Sequence, residues 1–163
     1  MDLKKFNLAP LYDLDQEWAV LTTGNEEKYN AMTISWGGFG TIWNKPVVTA
    51  YVRPNRYTYE LMENSEYFTI SFYDDQYKAD LGILGRMSGR NSDKLSLIKL
   101  TPEFLEKSTS FKEAKLTIIC KKLYSQDLDI AQVPEYEANK FYKVEPIHRM
   151  YIGEVIDIID RRI

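Results

Sequence analysis

Two repeating patterns divide the chain. A period-two alternation, the mark of a pleated strand with one face turned inward, recurs from the N-terminal third to the C-terminus. It is clearest over residues 66–73, where Phe68, Ile70 and Phe72 share one face and Tyr67, Thr69 and Ser71 the other. Residues 29–36 alternate too, with Asn30, Met32, Ile34 and Trp36 opposite Ala31, Thr33 and Ser35. Further strands are predicted over 17–23, 39–43, 47–52, 114–124 and 147–159, the last interrupted at Gly153. Gly24-Asn25-Glu26-Glu27, Gly37-Gly38 and Asn44-Lys45-Pro46 punctuate the first four, and Pro54 stops the fourth.

The helical signals are short and lie in the middle of the chain. Asn55 is placed to cap a helix over 57–63, with Leu61 and Met62 turned inward. Residues 76–87 carry Leu81 and Leu84 on one side. Ser92 is a candidate cap for a short helix through Leu97, and Thr101-Pro102-Glu103 reads as another helix start. Residues 127–139 are polar and irregular, as in a surface excursion. The first strands follow one another with no crossover helix, which favours antiparallel pairing. The expected fold is therefore mainly β: a small antiparallel barrel with short inserted helices, in one domain over residues 1–163.

Composition sharpens this picture. The chain has 12 Tyr, 7 Phe and 3 Trp, types that suit half-buried strands. A net charge of -3 argues against a broad nucleic-acid surface but leaves room for a local basic site for one phosphate. The single cysteine, Cys120, sits in the apolar run Leu116-Thr117-Ile118-Ile119-Cys120 and reads as a buried small hydrophobe. One Cys and one His make a dedicated transition-metal site unexpected. No signal-peptide core and no membrane-length apolar run is present, so a cytoplasmic location away from membranes is expected.

Three segments could carry chemistry. Asn30-Ala31-Met32-Thr33-Ile34-Ser35-Trp36-Gly37-Gly38 is a strand with small hydroxyls, then Trp, then glycines that let a ligand approach backbone closely; an ordinary strand end would look similar. Arg53-Pro54-Asn55-Arg56-Tyr57-Thr58 sets two guanidinium groups at the opening of a helix, a favourable place for phosphate; a capped helix with solvated arginines is the plain alternative. Ser88-Gly89-Arg90-Asn91-Ser92-Asp93-Lys94 is a glycine loop whose Lys94 could reach an anion, or simply a polar loop. His148 is either a strand-end residue or a polar contact near a cofactor. No GxGxxG or P-loop pattern and no nucleophile–His–carboxylate order is present.

Taken in order, these segments resemble the flavin reductase-like family of FMN-binding split barrels, which includes flavoredoxins. The resemblance adds Trp43-Asn44-Lys45-Pro46, Cys120-Lys121-Lys122-Leu123-Tyr124 and His148 with Tyr151-Ile152-Gly153-Glu154, and runs over nearly the whole chain. It implies a Greek-key split β-barrel and a homodimer with FMN near the subunit interface. It implies flavin contacts at Asn30 and Trp36, with Thr58 and Lys94 at the phosphate end. Ser35, Gly37 and Arg56 are the neighbours expected to contribute. Some relatives place a His on FMN after the strand that here ends near Tyr124, where this chain has Ser125-Gln126-Asp127. The chemistry agrees: Arg53, Arg56 and Lys94 suit a dianionic phosphate, and Trp36 with many Tyr suits a flat heteroaromatic ring. The function implied is an NAD(P)H-dependent flavin reductase. A flavin-binding electron carrier that serves a redox partner protein, and a barrel that binds another ligand or only a protein, are the alternatives.

Overall fold

The computed structural model describes Ala9 and residues 12–162. After a helical turn at Asp13–Glu17 come β1 (Ala19–Gly24), β2 (Tyr29–Ile34), β3 (Gly37–Ile42) and β4 (Lys45–Val52). Helix α1 (Tyr57–Asn64) leads to β5 (Tyr67–Phe72), and α2 (Lys78–Arg86) follows. The short strands β6 (Pro102–Phe104) and β7 (Thr109–Phe111) form a separate ribbon. Strand β8 (Leu116–Asp127), helix α3 (Glu135–Phe141) and strand β9 (Arg149–Asp160) complete the chain.

Seven strands form one sheet in the order β2-β1-β5-β8-β9-β4-β3, and every pairing is antiparallel. Strands β2 and β3 are the two edges, yet only Ser35 and Trp36 separate them in sequence. Laid flat, six strand spacings would hold those edges about 29 Å apart. Three residue steps span at most about 10 Å. The sheet therefore curls until its edges nearly meet, and it stays unpaired along that seam. The interior confirms the curl, because Leu21, Met32, Val48, Phe68, Ile118 and Tyr151, from six strands, pack in one cluster with Phe39 of β3 against it.

A second apolar layer lies outside the curl. Val20 and Ala31 face Leu81 and Leu84 of α2, with Phe111 and Leu100 beside them. This layer explains why β1 is buried on both faces rather than alternating. The polar face of β5 is buried as well. Thr69 donates to the Thr109 carbonyl at 2.7 Å, and Ser71, Ser110 and Thr117 form a hydroxyl cluster at 3.0–3.1 Å. Those bonds tie the β6–β7 ribbon to the sheet and satisfy groups that would be costly to bury alone.

Several local expectations change. Pro102 opens β6 rather than a helix, because residues 102–104 pair with 109–111 and a proline is tolerated in so short a ribbon. Asn55 does not cap α1; its amide donates to Glu145 at 2.9 Å, and Arg56 occupies the cap position. The turn over Lys94–Leu97 is a 3-10 turn that begins after Asp93, and Ser92 donates to the Ser88 carbonyl. Strand β9 runs straight through Gly153, where a Cβ would lie 2.5 Å from the Phe68 ring. The glycine thus admits a core phenylalanine instead of ending the strand. The polar stretch after residue 127 contains α3. Asn44 sits with Trp43 at positive φ in the two-residue turn between β3 and β4, as such hairpins require.

Candidate functional site

A cleft of about 380 Å3 opens at the seam. One wall is the end of β2 and the link to β3, Met32 to Trp36; the facing wall is Tyr51 and Arg53 from the end of β4. As an edge strand, β2 has one side of its backbone without a strand partner. The rim is aromatic: Phe141 meets the Trp36 ring edge-on at 5.0 Å, and the His148 ring lies 4.9 Å from it. Trp36 remains 41% exposed.

The imidazole of His148 is held by a bond of 2.9 Å between Nδ1 and the Tyr142 hydroxyl. Burial, with the Arg53 guanidinium nearby, pushes its pKa down to about 4, so the ring is neutral at pH 7. Arg53 itself donates to the Phe141 carbonyl at 3.2 Å and the Pro146 carbonyl at 2.8 Å. It therefore docks the end of α3 beside the cleft. No carboxylate lines the cleft.

A polar cluster lies near the start of β2. Asn30 Nδ2 donates to the Thr58 hydroxyl at 2.8 Å, both residues being buried. Arg56 donates to the Gly85 carbonyl at 2.8 Å and the Leu84 carbonyl at 3.2 Å. Lys94 is 1% exposed, and its ammonium donates to the same Leu84 carbonyl at 3.2 Å and to that of Met87 at 3.1 Å. These carbonyls end α2, where the helix dipole favours a cation. Neither cation has a carboxylate partner among the described residues. Burial, then the neighbouring Arg56, lowers the Lys94 pKa to about 8, and burial lowers that of Arg56. Gly89 closes the cluster against Asn30; a Cβ there would lie 2.5 Å from the Asn30 amide oxygen.

The predicted residues thus fall into two groups. Asn30 bonds to Thr58, and Arg56 shares a carbonyl with Lys94. Ser35 and Trp36 line the seam cleft. Gly37 starts β3 next to it, where a Cβ would strike the Thr49 carbonyl oxygen at 2.5 Å. Its need for glycine comes from this cross-strand contact. Tyr51 and Phe141 line the cleft without having been singled out in the sequence. For Phe141 the available signal was an aromatic pair, Phe141-Tyr142, closing an otherwise polar stretch. Among the described residues no group of three or more His, Cys, Asp or Glu could hold a metal ion, and no helix is long and apolar enough to cross a membrane.

A curled, seven-stranded antiparallel sheet left open along one seam defines the class as a split β-barrel. Solved structures share it. A flavoredoxin from Methanosarcina acetivorans superposes with a TM-score of 0.68 at 20% identity, over 88% of this chain and 68% of that one. An FMN-binding protein from Thermus thermophilus with bound 1-cyclohex-2-enone gives 0.70 at 19% identity, over 88% and 70%. A Shewanella frigidimarina protein with a split barrel domain gives 0.70 at 17% identity, over 97% and 76%. No curated protein sequence matches the chain significantly. Residues 11–162 match the flavin reductase like domain family, and the chain belongs to that family.

Proposed function

We propose that the chain binds FMN along β2, with the flavin ring at the seam cleft and the phosphate at Arg56, Lys94, Thr58 and Asn30. The observation that carries this reading is a buried ammonium, Lys94, beside a half-buried guanidinium, Arg56, with no carboxylate partner for either among the described residues. Two adjacent positive groups, one buried and one half-buried, raise the free energy of the empty site, and a dianion placed beside them relieves that cost. The donor set fits a phosphate: α1 and its cap supply a hydroxyl and a guanidinium, the turn after α2 an ammonium, and β2 the Asn30 amide. The cleft fits the ring, with Trp36 as one wall and the free edge of β2 offering backbone donors and acceptors.

Bound there, FMN would supply the hydride and electron chemistry. The protein's own residues would orient the ring through Trp36 and Ser35, and keep the neutral His148 at the cleft's edge as a polar contact. On this reading the chain is a cytoplasmic, NAD(P)H-dependent oxidoreductase of the flavin reductase type and a homodimer, one FMN-binding domain throughout. Exposed Trp36, and Trp43 at the β3–β4 turn, are apolar surface a partner subunit would cover. Titrating FMN into the purified protein and then adding NADH or NADPH tests it. A bound flavin spectrum that bleaches is expected. A flavin that binds and stays oxidised would leave an electron carrier working with a redox partner protein, and no flavin binding would overturn the reading.

A further inference from the structure

A second cleft, of about 240 Å3, lies on the α2 side of β2 and shares Thr33 and Ser35 with the seam cleft. Trp18, Leu81, Gly82, Gly85 and Arg86 form the rest of its wall. Its chemistry differs from that of the first. Trp18 holds φ 66° and ψ 164°, a conformation essentially restricted to glycine, which costs about 1–3 kcal/mol for other residues. The Trp18 indole is backed by Lys78, whose ammonium lies 3.8 Å from the ring centroid and donates to the Glu17 carbonyl at 3.0 Å. Lys78 does not itself line the cleft. Gly82 and Gly85 leave the floor free of side chains, and the nearest atom to a Cβ built at Gly82 is the Arg86 guanidinium at 3.8 Å. Arg86 is exposed, and its guanidinium makes no hydrogen bond or ion pair among the described residues. No carboxylate lines the cleft.

We infer that this cleft is a subsite for a planar ring carrying an anionic group. The ring stacks on Trp18 above the glycine floor, and the anion pairs with Arg86. The inference deepens the proposed reading, and rests on it in one respect: a ligand here would adjoin the flavin at Thr33 and Ser35. Two kinds of reactant carry the required chemistry, the adenylate half of a dinucleotide donor and an aromatic carboxylate acceptor. The volume suits one ring system with its anion, not a whole dinucleotide.

Calorimetric titration of the protein with AMP and, separately, with benzoate tests this, each with and without saturating FMN. Binding of at least one probe with a Kd on the order of 0.1–1 mM is expected. AMP as the binder identifies the donor's half; benzoate identifies an acceptor. Arg86→Gln should weaken the probe about tenfold or more, as loss of a charge-assisted pair does. Gly82→Leu should abolish probe binding while leaving the fold intact, since leucine favours a helix interior over glycine. FMN affinity, read separately by absorbance, should not change in either variant. Absence of binding by both probes up to about 10 mM would overturn the inference. So would a probe that Arg86→Gln leaves unaffected, or one that FMN displaces, because the cleft would then be part of the flavin site. Failure of FMN to bind would defeat the proposed function alone, since the probes are also read in its absence.

Discussion

The two ends of the site are built on opposite principles. The polar end is dry and largely bonded: Asn30, Thr58 and Lys94 are all buried, the Asn30 amide donates to Thr58, and the Lys94 ammonium donates to two carbonyls. The aromatic end is open, with Trp36 41% exposed and its ring met by an edge-on contact from Phe141 and a tilted one from His148. A buried cation strengthens sharply with its dielectric surroundings, so the polar end should govern how tightly an anionic ligand is held. A partly exposed ring wall gains less from contact, so the aromatic end should govern how a bound ring is oriented and what it experiences.

Substitutions can break this contrast. The largest effect is expected for Lys94→Met, which removes a buried ammonium and should weaken FMN about 100-fold, or about 2.7 kcal/mol, in a fluorescence titration. Arg56→Gln should follow, at about tenfold, with a fall in thermal stability because the Gly85 carbonyl loses its guanidinium donor and the Leu84 carbonyl keeps only Lys94. Thr58→Val deletes one neutral hydrogen bond and should cost about fivefold, near 1 kcal/mol. Trp36→Leu is expected to change affinity least, about threefold, yet to shift the visible spectrum of bound flavin most. If Trp36→Leu weakened FMN more than Lys94→Met, the assignment of roles to the two ends would be reversed.

Proton uptake gives an independent check on the polar end. The Lys94 ammonium has its pKa lowered from 10.5 to about 8 in the folded protein. Between those values the unfolded chain binds more protons than the folded one, so the flavin-free protein should gain stability as pH rises from about 8 to 10.5. Flavin binding needs the charged form and should run the other way, weakening as pH rises through about 8. Denaturant melts and FMN titrations across pH 7–10.5 read both trends, and a flat profile in Lys94→Met would attribute them to this residue.

Much of the strand pattern was legible because burial on one face leaves a period of two. Phe68, Ile70 and Phe72 do point into the core as their alternation predicts. The reading failed where a second layer covered the other face. Thr69 and Ser71 look solvated in the sequence but lie under the β6–β7 ribbon, and that ribbon was itself misread as a helix start at Pro102. Local sequence shows the charge of Arg53 but not its partners, which are the carbonyls of Phe141 and Pro146, far away in the chain.

The amino-acid sequence alone determined the strand-rich class, the order of the first four strands and the local motifs, because alternation, turn residues and glycines act over a few neighbouring positions. It also placed Trp36, Thr58 and Lys94 among residues worth attention. Tertiary structure decided the rest. Curling of the sheet set β2 beside the end of β4 and opened the seam cleft between edges that share no hydrogen bonds. Packing of α2 onto β2 drew Arg56 and Lys94, 38 positions apart, to a single carbonyl of Leu84. Such meetings depend on how layers stack, and stacking is governed by the whole buried surface rather than by any short run of residues.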